Sequence, residues 1–310
     1  MNTAKLIYIT LLLMYCSFAY SFTPISSAKP SAVNGVLDLR KQTFANQLSL
    51  NGQWRFYWHQ LLNPQDTATK NSTFVKFPFR WDGAVVNGKT LPAFGYATYR
   101  LTVLLPKRTG VLRIAVPDTY CAYKLFINAR EVAGNGNVST TVKDFVPYWQ
   151  YRAVDIDPET DTLKIDLQIA NFVHSQAGIK KPIIIGAKAS VELDRHRTEA
   201  IDLMLTGCLV MGGIFFLGLY LRGSRDKAIL LFSLYSIVYA YRVIGSDNYV
   251  LHTLLPNIDW YITARLEYTS LFIGICLFGL YTRFLYPKDV NIKILYILSS
   301  ICFLFATAAL

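Results

Sequence analysis

Four long, nearly uncharged stretches crowd the last third of the sequence, and they constrain the chain more than any other feature. They run over about 203–221, 228–245, 262–286 and 294–310. Each approaches or exceeds the length needed to cross hydrocarbon, about 20 apolar residues. The connections between them carry an unequal charge. Residues 222–227 hold Arg222, Arg225 and Lys227, and the turn before the fourth stretch holds Lys288 and Lys293, with Arg283 just ahead of it. The connection 246–261 has Asp247 and Asp259 but neither Lys nor Arg. Because Lys and Arg mark cytoplasmic loops, both basic turns belong inside and 246–261 belongs outside. Pro256, Trp260 and Tyr261 suit an outer interfacial loop.

The rest of the chain has the opposite character. From 22 to 198 there are 22 Lys and Arg against 13 Asp and Glu, a balance of +9. From 199 to 310 there are 8 against 7, or +1, and Lys5 completes the formal charge of +11. The positive excess therefore sits on a polar module joined to a membrane module. Such a balance favours an anionic partner, such as an acidic glycan, a phosphorylated ligand or a lipid surface, or else marks a solvated basic face. Ahead of this module, Lys5, the apolar run 6–15 and the small residues Ser17, Ala19 and Ser21 have the order of an export signal, placed at 1–21. Bulky Met14 and Tyr15 disfavour lipid attachment at Cys16, and the run is short for an anchor. An exported module with a single cysteine, Cys121, has no intrachain disulfide and rests on its core, which suits a bacterial periplasm.

Strand composition and period-two alternation appear at 53–58, 74–79, 97–105, 111–116, 123–127, 162–170 and 183–185. Leu163, Ile165, Leu167 and Ile169 alternate with Lys164, Asp166 and Gln168, as in a half-buried strand. Many strands without a long amphipathic helix predict two packed antiparallel sheets. The expected layout is a β-sandwich over 22–195 and a membrane domain over 196–310, with residues 194–202 as a short helical lead into the first span. The last stretch stops within apolar residues at Leu310, which predicts that this chain is the front part of a longer protein. A complete chain with a short or partly inserted last helix is the alternative.

Several segments resemble known modules. Leu50-Asn51-Gly52-Gln53-Trp54-Arg55-Phe56, Phe77-Pro78-Phe79-Arg80-Trp81, Gly95-Tyr96-Ala97-Thr98-Tyr99-Arg100-Leu101 and Tyr123-Lys124-Leu125-Phe126-Ile127-Asn128 resemble the galactose-binding-type jelly roll, which also opens family-2 glycoside hydrolases. Asp226-Lys227-Ala228-Ile229-Leu230-Leu231-Phe232, Tyr241-Arg242 and Arg265-Leu266-Glu267-Tyr268 resemble bacterial seven-transmembrane receptors with diverse intracellular signalling modules. Residues 171–179 and Ile185-Gly186 resemble the close of that family's exported module. The resemblance implies an all-β jelly-roll sandwich followed by an α-helical membrane bundle and a cytoplasmic effector, although only four of seven helices are present and no effector follows.

Candidate functional residues fall in two groups. Inside the spans, Arg242 and Glu267 lie at similar depth, and ionisable residues there are costly enough to seek partners. They are expected to pair across two helices, as a static clamp or as a switch, while Arg265 faces elsewhere. Outside, Trp54, Phe56, Tyr99 and Phe126 are expected to fill the core. Tyr148, Trp149 and Tyr151, beside Pro147, and Asn171, His174 and Gln176, after a strand, are the candidate ligand contacts. Asp155, Asp157, Glu159 and Asp161 read as a polar turn, since Thr160 stands where a calcium loop needs glycine. His59, His174, His196 and His252 lack metal-binding spacing, and no CxxC, HExxH, GxSxG or phosphate loop occurs. The expectation is a non-enzyme with no cofactor and no metal, placed in the bacterial inner membrane. Its expected partners are a periplasmic small molecule or glycan, the lipid bilayer, a cytoplasmic signalling effector in the full-length protein and a second copy of itself as a homodimer; nucleic acid is not among them. A membrane-tethered carbohydrate-binding or envelope protein without output is the alternative, and a transporter fragment is a third reading.

Overall fold

The computed structural model describes residues 29–66, 72–107, 109–117 and 119–309. The expected export segment 1–21, with Cys16, lies outside the described residues. Thirteen strands precede the helices among the described residues. The larger sheet has the order β10 (Arg130–Asn135), β9 (Ala122–Ile127), β12 (Thr162–Asn171), β7 (Gly95–Leu104), β3 (Gly52–Trp58), β4 (Thr73–Phe77), and β1 (Val36–Asp38) runs parallel to the end of β7. The smaller sheet is β11 (Arg152–Ile156), β8 (Leu112–Val116), β13 (Ile184–Gly186), β2 (Leu48–Ser49). A separate hairpin joins β5 (Val85–Val86) to β6 (Lys89–Thr90).

Alternation along the strands decides which residues meet. Trp54 and Phe56 of β3, Tyr99 and Leu101 of β7, and Leu163, Ile165, Leu167 and Ile169 of β12 enter one buried cluster with Ile114, Val116 and Ile185 of the smaller sheet. Two sheets sharing one apolar core make a β-sandwich. Trp54 stacks on Phe77 with ring centroids 4.0 Å apart, and its indole N–H donates to the Leu50 carbonyl at 2.9 Å. Phe126 departs from its expected place. On β9 it is Tyr123, Leu125 and Ile127 that face the core, and Phe126 is only partly buried on the other face, beside Asp166. A one-residue error in reading alternation reverses the face of a side chain. Gly52 opens β3 at φ 120°, and a Cβ there would lie 2.2 Å from the Ala32 nitrogen. No other residue fits that approach.

The membrane part begins inside the sandwich. Helix α1 (Lys188–Leu219) starts two residues after β13 and continues without a break through the expected polar lead. Its 32 residues span about 48 Å, against a hydrocarbon thickness of about 30 Å, so the first turns stand beside the sandwich. Arg113 of β8 holds Asp155 of β11 and Glu192 of α1 together, and Lys188 reaches Asp155 at 3.3 Å. A π-helical turn (Tyr220–Ser224) with Gly223 at φ 136° ends α1. Asp226 then caps α2 (Lys227–Gly245) by accepting from the Ala228 amide at 2.8 Å. A short α3 (Val250–Leu254) and α4 (Trp260–Leu285), capped by Asp259, follow, and α5 (Ile292–Ala309) is last.

Among the described residues four helices are long and apolar enough to cross a membrane, those that include α1, α2, α4 and α5. They pack in sequence order, α1 on α2, α2 on α4, α4 on α5. Small and hydroxyl side chains serve these contacts: Ser233 donates to the Gly213 carbonyl at 2.8 Å, and a Cβ at Gly213 would strike Ile237.

Candidate functional site

The described residues place the chemistry-bearing side chains at the seam where the sandwich meets the C-terminal end of α2 and the N-terminal end of α4. The segment after β12 builds its upper wall, and Asn171 fixes that segment. Its fully buried amide donates from Nδ2 to the carbonyls of His174 at 2.7 Å, Ala93 at 3.0 Å and Gln176 at 3.2 Å. Its Oδ1 accepts from the His174 amide at 3.0 Å and from the Cys121 thiol. Burial pushes that thiol up, so it stays protonated and serves as a donor. Asn171 is thus consumed by the fold and has no donor left to offer a ligand.

His174 crosses the seam. Its Nδ1 lies 3.0 Å from the Gln176 amide nitrogen and 3.1 Å from the Gln176 carbonyl oxygen, and its Nε2 lies 3.1 Å from the Tyr268 hydroxyl of α4. The ring stacks on Tyr120 with centroids 5.5 Å apart and planes 13° from parallel. Burial lowers its pKa, which keeps the imidazole neutral.

Beside it lies a second apolar cluster that includes Cys121, Ala122, Phe145, Trp149 and Ala170 of the sandwich with Tyr249, Trp260 and Ala264 of the membrane part. Trp149 is 1% exposed, stacked on Tyr249 at 4.7 Å and edge-on to Trp260 at 5.0 Å. It was expected to offer a face to a ligand; it is instead a packing residue between two domains. Tyr148 donates its hydroxyl to the Pro256 carbonyl in the connection between α2 and α4. Tyr151 lies under the Arg195 guanidinium at 4.4 Å. Arg195 in turn donates to the Asn248 carbonyl at 3.2 Å and to Thr253 at 3.1 Å. Lys181 grips the same loop, donating to the Asp247 carbonyl at 2.9 Å and to Asn248 Oδ1 at 3.1 Å. His252, fully buried, meets Thr263 at 3.2 Å, and burial pushes its pKa down to about 4.

Arg242 and Glu267 do come together, but in a different form from the one expected. Arg242 Nη1 donates to the main-chain carbonyl of Glu267 at 2.9 Å, and among the described residues no ion pair joins the two side chains. Both face a cavity of about 280 Å³ that His174, Gln176 and Tyr268 also line. Of the expected residues, the cavity brings together His174, Gln176, Arg242 and Glu267. Tyr148, Trp149 and Tyr151 serve the seam nearby, and Tyr151 lines a separate groove against α1. Sequence reading missed Tyr268, Tyr249, His252, Lys181 and Arg195 as seam residues. The available signal was the 246–261 connection, which is longer than a turn needs and rich in aromatic residues. No group of three or more His, Cys, Asp or Glu residues suited to a metal ion occurs among the described residues.

Curated proteins give no match. Solved structures similar to this chain include a GH2 beta-galacturonidase from Eisenbergiella tayi, with 11% identity over 47% of this chain and 25% of that one, TM-score 0.34. A glycosyl hydrolase family 2 member from Bacteroides cellulosilyticus has 14% identity over 46% of this chain and 20% of that one, TM-score 0.37. A beta-glucuronidase from an uncultured Clostridium has 10% identity over 54% of this chain and 31% of that one, TM-score 0.37. The chain thus spans less than a third of the length of these enzymes. A family model described as 7TM diverse intracellular signalling matches residues 198–310, which hold the membrane end of α1 and everything after it. The expected resemblance therefore holds: this is a multi-pass membrane chain whose helices carry the pattern of the 7TM diverse intracellular signalling family, behind an N-terminal β-sandwich.

Proposed function

We propose that this chain is the sensing part of a bacterial inner-membrane receptor, with the sandwich in the periplasm and the signal relayed through the helices to a cytoplasmic effector. The ligand is a small molecule or glycan, and the chain itself performs no chemistry. The observation that carries this reading is the seam. The sandwich is tied to the helices in three places: to α1 by direct continuation, to the α2–α4 connection through Lys181 and Trp149, and to α4 through His174, while Arg195 of α1 holds the same connection. A ligand that favours one arrangement of the sandwich on this seam would shift the helices with it, by the difference in its affinity for the two arrangements. The charge pattern supports the orientation, because Arg222, Arg225 and Lys227 lie at the end of α1 away from the seam, and Lys288 and Lys293 follow α4 at its far end.

Orientation is tested with single cysteines and a membrane-impermeant thiol reagent on spheroplasts. Asn257→Cys in the outer connection is expected to label in intact spheroplasts, and Arg225→Cys only after permeabilisation. Labelling of Arg225→Cys in intact cells would end the receptor reading.

A further inference from the structure

The seam cavity presents an unusual pair of charges. Arg242 spends Nη1 on the Glu267 carbonyl, and its Nε and Nη2 have no hydrogen-bond partner among the described residues. The Glu267 carboxyl likewise accepts no hydrogen bond from the described residues, although the two residues are in contact through the main chain. Opposite charges this close to hydrocarbon normally pair directly, because each alone is costly. Here they line one cavity and do not close on each other. The other acid of the cavity, Asp247, is neutralised by Lys181 at 3.0 Å, and exposed Lys180 has no ion-pair partner among the described residues. The neutral His174–Tyr268 pair and Gln176 supply polar but uncharged lining.

From this the geometry points to a binding site for a small zwitterion, an α-amino acid or a close relative, in the cavity between sandwich and helices. Its carboxylate takes the free edge of the Arg242 guanidinium, with Lys180 at the mouth, and its ammonium group takes the Glu267 carboxyl. At about 280 Å³ the cavity lies just below the range typical of drug-sized ligands, which fits a molecule of amino-acid size. A bare anion would leave Glu267 unmatched, and a bare cation would leave Arg242 so; only a ligand bearing both charges completes both walls. The site spans residues of the sandwich (His174, Gln176), of α2 (Arg242) and of α4 (Glu267, Tyr268), so occupancy acts on the seam itself. What occupancy does rests on the receptor reading, whereas binding can be measured without it.

The test uses the whole chain in lipid nanodiscs, titrated with each of the twenty proteinogenic L-amino acids and followed by calorimetry and thermal shift. At least one is expected to bind saturably. Its des-amino acid and its decarboxylated amine, each lacking one charge, are expected to bind roughly 10- to 100-fold more weakly. Arg242→Gln and Glu267→Gln should weaken binding by the same factor, and Lys180→Met by less. If either core variant fails to fold, the two analogues on the unaltered chain decide. The absence of binding by any amino acid, equal binding of a singly charged analogue, or binding unchanged in the folded variants would each overturn the proposal. Because solubilised protein is used, these outcomes are independent of the spheroplast labelling that tests orientation.

Discussion

Replacing Trp149 by alanine separates the seam from the sandwich core. The indole is 1% exposed and packs on Tyr249 at 4.7 Å and Trp260 at 5.0 Å, with His174 and His252 at its edges. Its N–H has no hydrogen-bond partner among the described residues, so the substitution removes packing without stranding an acceptor. Truncating a buried Trp costs about 3–5 kcal/mol. The lower figure equals about a 100-fold rise in local opening, at 1.36 kcal/mol per tenfold. Since Trp149 belongs to the cluster shared with Tyr249 and Trp260 and not to the sandwich core, that opening should be confined to one region. Hydrogen–deuterium exchange on the chain in nanodiscs is the assay. Amides of 172–178 and of the 246–259 connection should lose about two orders of magnitude of protection, while β7 and β12 keep theirs. Trp54→Ala, inside the sandwich, should do the reverse and release β3, β4 and β7. If Trp149→Ala releases β7 and β12 as much as the seam, the two clusters are one cooperative unit and the reasoning fails.

Asn171→Leu leaves the His174, Ala93 and Gln176 carbonyls without their shared donor, and at about 1–3 kcal/mol for a stranded buried group it should lower the melting temperature measurably. An unchanged melt by tryptophan fluorescence would contradict this. Gly52→Ala should prevent accumulation of folded protein, because its Cβ would fall 2.2 Å from the Ala32 nitrogen; normal yield and an unaltered melt would show that the β3 start can shift. Acid should loosen the seam. His252 has a folded pKa of about 4 against an ordinary 6.5, so the native state binds fewer protons than the unfolded one. The contribution of neutral His252 is whole above pH 6.5, is reduced by about 2 kcal/mol at pH 5, and is gone below pH 4. The lowered pKa of His174 acts in the same direction. Melts between pH 7.5 and 5 should show this loss, and His252→Gln should reduce it; the same slope in that variant would assign the effect elsewhere.

The candidate site was only partly legible beforehand. His174 and Gln176 could be picked out because they follow a strand of clear alternation. Arg242 and Glu267 could be picked out because charge inside an apolar stretch is conspicuous. Asn171 shares the polar neighbourhood of His174 in the sequence, yet its amide is spent within the fold. Trp149 looked like a ligand face because a Trp beside a Pro in a loop is usually exposed, and nothing nearby in sequence announces that Tyr249 and Trp260 will cover it.

Periodicity and charge by themselves determined the partition of this chain. Period-two alternation specified the main strands of the sandwich, because a pleated strand turns alternate residues to opposite sides. Uncharged length specified the helices, because hydrocarbon demands internally satisfied backbone. These are local rules, each written within about twenty residues. Partners are a different matter. His174 meets Tyr268 across 94 positions, and Tyr148 meets Pro256 across 108. Whether Arg242 and Glu267 close into an ion pair or line a cavity depends on how the sandwich stands on the helix ends. That placement comes from packing between surfaces assembled out of distant segments, and it leaves no periodic trace in the sequence.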